Sequence, residues 1–202
     1  MKKRVLFWVN GFMLHFGLAY YLQQKLDSDF YAVIDVPNNP KKMFLNQKTV
    51  DFQKTWYFHD HIKKTTLKPD LQYLSDFEKK YQIDLWKLAI NERHFYRFNR
   101  FYKFTTNEIL QFLEQECRLF EQILDDTKPD YFLTYDPPFH HQKLLLDICK
   151  AKKIKVLCIY FARIGGKSII AEDGVTLDLP QNLDHIELDV ENREDGFHRG
   201  LA

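Results

Sequence analysis

Apolar positions along the chain fall into short blocks whose spacing switches between strand-like and helix-like. Residues 5–9, VLFWV, form an unbroken β-branched and aromatic run, the composition of a buried strand. Asn10-Gly11 interrupts it, and an Asn-Gly pair is a strong turn signal. Beyond the turn, Met13, Phe16, Leu18, Ala19 and Leu22 include i, i+3 spacings that predict a helix. Ser28-Asp29 closes this zone, and FYAVIDVP (30–37) predicts a second strand stopped by Pro37. Strand, helix and strand at this spacing imply parallel pairing with a right-handed crossover. PNNPKK (37–42) reads as a loop. KTWYFHDHI (54–62) reads as a third strand, with Trp56, Phe58 and Asp60 alternating against Tyr57 and His59.

From Leu71 to about Phe104 the pattern is helical but irregular. Leu71, Leu74, Phe77 and Tyr81 share one stripe, and IDLWKLAI supplies a second short apolar element. As a helix, NERHFYRFNRFYKF (91–104) would carry Arg93, Arg97 and Arg100 on one face and Phe95, Phe98 and Tyr102 on another. Thr105 and Glu108 have capping-box spacing, in which each side chain satisfies the other's backbone N–H. They open the clearest amphipathic helix of the chain, with Ile109, Leu113, Phe120 and Leu124 inward and Leu110 and Cys117 beside them. KPD (128–130) ends it. YFLTYD (131–136) predicts a strand stopped by Pro137-Pro138. HHQKLLLDICKAKKI predicts a helix with Leu144, Leu145, Ile148 and Ala151 inward, and VLCIYFA (156–162) a further strand. SIIAEDG and VTLDL read as a hairpin around Asp173-Gly174.

These elements predict one open α/β domain over residues 1–180, with a mainly parallel sheet, helices on both faces and a helical insertion at about 70–104. Residues 181–202 are polar and acidic and read as a tail or a linker to a further domain. The opening MKKR followed by apolar residues also raises a signal peptide or membrane anchor. Against it, no small-residue cleavage site follows Leu22, and Asn10, Gly11 and His15 interrupt the run. The expectation is a cytoplasmic chain with at most peripheral membrane association.

Composition sharpens this picture only in part. Of 202 residues, 45% are hydrophobic, which supports a packed core, and 18 Phe and 11 Tyr point to an aromatic one. Lys and Arg total 29 against 28 Asp and Glu, so net charge gives no argument for nucleic acid as a partner. Cys117, Cys149 and Cys158 lie in apolar segments without C-x-x-C spacing and read as buried free thiols.

In open parallel sheets ligands bind beyond the carboxyl ends of the strands. Three loops there are candidates: Asn10-Gly11; Tyr135-Asp136 through His140-His141; and Arg163-Ile164-Gly165-Gly166-Lys167-Ser168. The third pairs two cations with two glycines that expose backbone N–H groups to an anion. It is not a P-loop, because Phe161 stands where the motif needs Gly and the sequence after it is extended rather than helical. The dinucleotide fingerprint is absent. Asp136, after a strand, and His15, at a helix start, are the catalytic candidates; Asn10, Gly11, Tyr135, Arg163, Gly165, Gly166 and Lys167 are the binding candidates. His59-x-His61 and His140-His141, with Asp60 or Asp136, raise a metal site. Neither H-E-x-x-H nor a Cys cluster supports one, so no metal is expected.

RVLFWVNGFMLHFGLAYYL, LAINERHFYRFNRF, FEQILDDTKPDYFLTYD and IKVLCIYFARIGGK, in this order, resemble capsule-polysaccharide biosynthesis proteins of the GT-B glycosyltransferase type over residues 4–170. The resemblance lies in pattern and order, without a catalytic signature. It implies the amino-terminal Rossmann-like half, which holds a glycan acceptor, with Asn10, Gly11, His15, Asp136 and Arg163 on the rim of the cleft. A sugar nucleotide would enter only with a second domain or subunit, since about 200 residues cannot contain both halves. No cofactor is expected for this chain alone, which is then a fragment or a stand-alone homologue. Two other readings stand beside it: a non-catalytic glycan- or nucleic-acid-binding module using the Arg93–Lys103 stripe, and a small nucleotide-dependent enzyme.

Overall fold

The structure, a computed structural model, describes residues 2–97, 100–161 and 168–172. Six strands form one sheet: β1 (Lys3–Asn10), β2 (Ser28–Asp35), β3 (Lys54–Tyr57), β4 (Tyr131–Tyr135), β5 (Lys155–Phe161) and β6 (Ser168–Ala171). Their order is β3-β2-β1-β4-β5-β6, and every pair is parallel except β5–β6. This is a Rossmann-like open α/β fold, as the alternation of strand and helix patterns predicts. Among the described residues no helix is long and apolar enough to cross a membrane. The apolar run at 5–9 is explained by β1's central place.

Each face of β1 feeds a different core, which is why the strand is apolar throughout. Leu6 and Trp8 point into the larger core, with α7 (Thr106–Thr127) and α8 (His140–Ala151). Val5, Phe7 and Val9 point into the smaller one, with α1 (Leu14–Gln23) and α2 (Asn38–Asn46). The predicted insertion breaks into three pieces, α4 (Leu71–Tyr81), α5 (Leu85–Ile90) and α6 (Arg93–Tyr96), which cover the larger core from outside. The Thr105–Glu108 capping box forms as predicted, and all three cysteines are buried and free.

Several expectations are corrected. PNNPKK is the start of helix α2, not a loop: Pro40 lies in the first turn, where no intrahelical N–H bond is lost. β3 ends at Tyr57, and Phe58–His61 forms a helical turn, α3, so His59 and His61 share no strand face. α6 ends at Tyr96, so of the three arginines only Arg93 lies on it. Leu71 and Ala151 are exposed rather than inward. SIIA pairs with β5, and the turn expected at Asp173-Gly174, like the tail from 181 to 202, lies outside the described residues.

α4 is fastened to α7 by a polar clasp. Glu121 accepts hydrogen bonds from Tyr73 Oη and Tyr81 Oη at 2.8 Å each and from Lys80 Nζ at 2.6 Å. Burial pushes the Glu121 carboxyl up, but the bonds from Lys80, Tyr81 and Tyr73 prevail and hold it below the usual range. A carboxylate whose folded pKa is depressed contributes stability that is present above its unfolded value, near 4.3, and lost as pH falls through the folded one. Glu121→Gln is therefore expected to lower stability at pH 7 and to flatten the loss as pH falls below the unfolded value of about 4.3. Denaturant melts across this range check it; an unchanged acid limb would exclude Glu121 as a contributor.

Candidate functional site

The strand order reverses direction between β1 and β4, the switch point at which open α/β sheets bind ligands. Asn10 ends β1, Asp35 ends β2, and Tyr135 ends β4. Asn10 is the residue the turn needs. Its side-chain Oδ1 accepts from Phe12 N at 3.1 Å and its carbonyl accepts from Met13 N at 3.2 Å. The left-handed residue of the turn is Met13, at φ 59°, rather than Gly11. An added Cβ at Gly11 would meet nothing within 4 Å. The turn leaves Phe12 on the rim, 84% exposed.

Asp35 is the centre of the polar group. Its Oδ1 lies 3.1 Å from His59 Nε2, and its Oδ2 lies 3.4 Å from both His141 Nε2 and Gln142 Nε2. Burial pushes the Asp35 carboxyl up, but His141 and His59 together reverse this and hold it far below the carboxylate range. The bond to Asp35 in turn raises the His59 imidazole, against the opposing effect of burial. Gln142 Nε2 also donates to Tyr135 Oη at 2.7 Å. Burial raises the Tyr135 hydroxyl, with hydrogen bonding to Gln142 and Asn10 offsetting part of the rise. Gln142 Oε1 is buried and unpartnered among the described residues.

Of the residues singled out from sequence, Asn10 and Tyr135 join this group. His15 lies behind it, 1% exposed, with its ring 5.7 Å from that of Tyr135. Burial lowers its pKa, only partly countered by the Thr134 backbone. Asp136 is exposed and stands outside the hydrogen-bonded group. Arg163, Gly165, Gly166 and Lys167 lie outside the described residues.

A second group adjoins the first through α8. His140 Nδ1 lies 2.8 Å from Glu92 Oε2, and its Nε2 lies 3.0 Å from Glu116 Oε1. Glu92 Oε2 also accepts from His140 N at 2.9 Å, while its Oε1 accepts from His94 N. Both glutamates are almost fully buried. Burial disfavours the His140 imidazolium, but Glu116 and Glu92 outweigh it and carry the pKa up to about 9. Glu92 itself, raised by burial, is brought down to about 2 by its bonds to His140 and His94. His141 is wedged among aromatic rings, stacked on Phe58 at 4.6 Å and on Phe139 at 5.7 Å. Glu92, Phe139 and His140 also line a cleft of about 730 Å³ between α5 and α8.

Asp35, Glu92, Glu116 and Gln142 were not anticipated as site residues. Two left a signal: Asp35 is the polar residue at the carboxyl end of a predicted parallel strand. Glu116 sits three residues after Leu113 and four before Phe120, a charge placed on the inward stripe of an amphipathic helix. Glu92 carried none, because its role depends on a contact with residue 140. Comparisons with family models, with curated proteins and with solved structures found no match. What the fold and the site define is a class: a Rossmann-like α/β domain with a carboxylate–imidazole group at its switch point.

Proposed function

We propose that this chain is the acceptor-side domain of a glycosyltransferase-like protein for surface glycans, with the sugar nucleotide brought by a second domain or subunit. The observation that carries the reading is the Asp35–His59 pair beside the switch point. Glycosyl transfer to a hydroxyl needs a base that takes the hydroxyl proton as the new bond forms. A buried carboxylate holding one nitrogen of a half-exposed imidazole suits that task, because it fixes the ring and stabilises its protonated form. The bond to Asp35 raises the His59 imidazole and so strengthens it as a proton acceptor. Asn10 and Tyr135 supply hydroxyl-recognising groups, and exposed Phe12 supplies a face on which a sugar ring can stack.

Oligosaccharides titrated into the whole chain test the reading. Asn10→Ala and His59→Ala are each expected to weaken glycan binding about tenfold, roughly 1.4 kcal/mol. Absence of glycan binding, or binding indifferent to both substitutions, would remove it.

A further inference from the structure

The geometry points to a divalent transition-metal site formed by Glu116, His140 and His141, independent of the glycan reading. One ligand atom from each of the three lies within 4.8 Å of the other two. Glu116 Oε1 and His140 Nε2 stand 3.0 Å apart, slightly closer than the about 3.3 Å between two donors that each lie about 2.0–2.1 Å from one tetrahedral zinc ion. The His141 donor, within 4.8 Å of the other two, moves inward to complete the set.

Two further features favour a metal over a purely structural ion pair. Metal-bound imidazoles give their second nitrogen to a carboxylate, which fixes the ring and its tautomer. His140 gives Nδ1 to Glu92 Oε2 at 2.8 Å, and His141 has Nε2 3.4 Å from Asp35 Oδ2. Each imidazole therefore already has its orienting carboxylate. The second feature is Glu116 Oε2, which is buried and has no hydrogen-bond partner among the described residues. A carboxylate oxygen in that position costs free energy unless a donor or a cation meets it, and a bound metal ion would meet it. The donor set, two imidazole nitrogens and one carboxylate, suits zinc or a neighbouring first-row ion, not calcium or magnesium, which take oxygen ligands. The carboxylate ligand escaped sequence spacing because it lies 24 residues upstream, on α7.

Zinc and cobalt(II) are the probes, added to the whole metal-stripped chain. One equivalent is expected to bind, and cobalt is expected to show the visible bands of a four- or five-coordinate site. Glu116→Gln and His141→Ala should each weaken zinc binding at least about 100-fold, whereas Glu92→Gln, which removes an orienting group, should cost about 10–100-fold and leave the cobalt spectrum intact. A His61→Ala variant should bind as the parent does. Nitrogen NMR of the wild-type histidines decides the matter even if a core variant fails to fold. Zinc should shift His140 and His141 and leave His61 in place. Lack of stoichiometric binding, shifts confined to His59 and His61, or affinity unchanged in folded Glu116→Gln would overturn the assignment.

Discussion

Truncating Phe120 to alanine is expected to destabilise the domain by about 3–5 kcal/mol. Phe120 is fully buried on the inner face of α7. Its ring meets Trp8 of β1 edge-on at 6.2 Å and stacks on Phe58 of α3 at 6.1 Å. Trp8 is itself fully buried, and its strand is hydrogen-bonded on both sides, so the walls of the resulting cavity cannot collapse to fill it. Domains of this size are stable by about 5–15 kcal/mol, so the loss would consume a large share. Urea melts should show a lower midpoint with an unchanged slope. Phe101→Ala is the control: with 75% of its surface exposed, its expected effect stays within about 0.5 kcal/mol. A loss below about 1 kcal/mol at Phe120 would contradict the packing of α7 on the sheet.

Glu92→Ala is expected to cost about 3 kcal/mol through a different mechanism. No large volume is lost; an anion that serves four groups is. His140 N at the start of α8, His140 Nδ1, His94 N and His94 Nδ1 all use the Glu92 carboxylate. Its removal leaves a buried N–H unsatisfied and a buried imidazole held by Glu116 alone. Glu92→Gln keeps the shape and some of the hydrogen bonds but not the charge, and its expected cost is smaller, about 1–2 kcal/mol. Calorimetric or denaturant melts of the two variants, read together, separate charge from shape. Equal stability of Glu92→Ala and the parent would show that Glu116 suffices to hold His140.

The sheet was legible in the sequence because its central strands are buried on both faces and so read as near-continuous apolar runs, VLFWV above all. α7 was legible because one side faces solvent and its cap has a distinctive spacing. α2 was not, since Pro40 looks like a breaker until its place in the first turn is known. The strand read through His59 failed because Tyr57 to Phe58 changes from extended to helical without Gly or Pro to mark the change. Of the candidate site, Asn10 and Tyr135 were legible from their position at strand ends. The carboxylates at 35, 92 and 116 were not read as site residues, because three distant segments supply them and only α8, packed on the sheet, brings them together.

One consequence of the strand order is kinetic. β1 pairs with β2 across a single helix, but with β4 across more than half the chain: Arg4 N bonds to Asp130 Oδ2, 126 residues away. The β1–α1–β2 unit can form early from local contacts, whereas joining β1 to β4 must wait for a long loop to close. Asn10 and Tyr135 lie on opposite sides of that late seam. The two halves of the site therefore meet only when that loop closes, and a chain halted before it would hold Asp35 and His59 without Tyr135, His141 and Gln142.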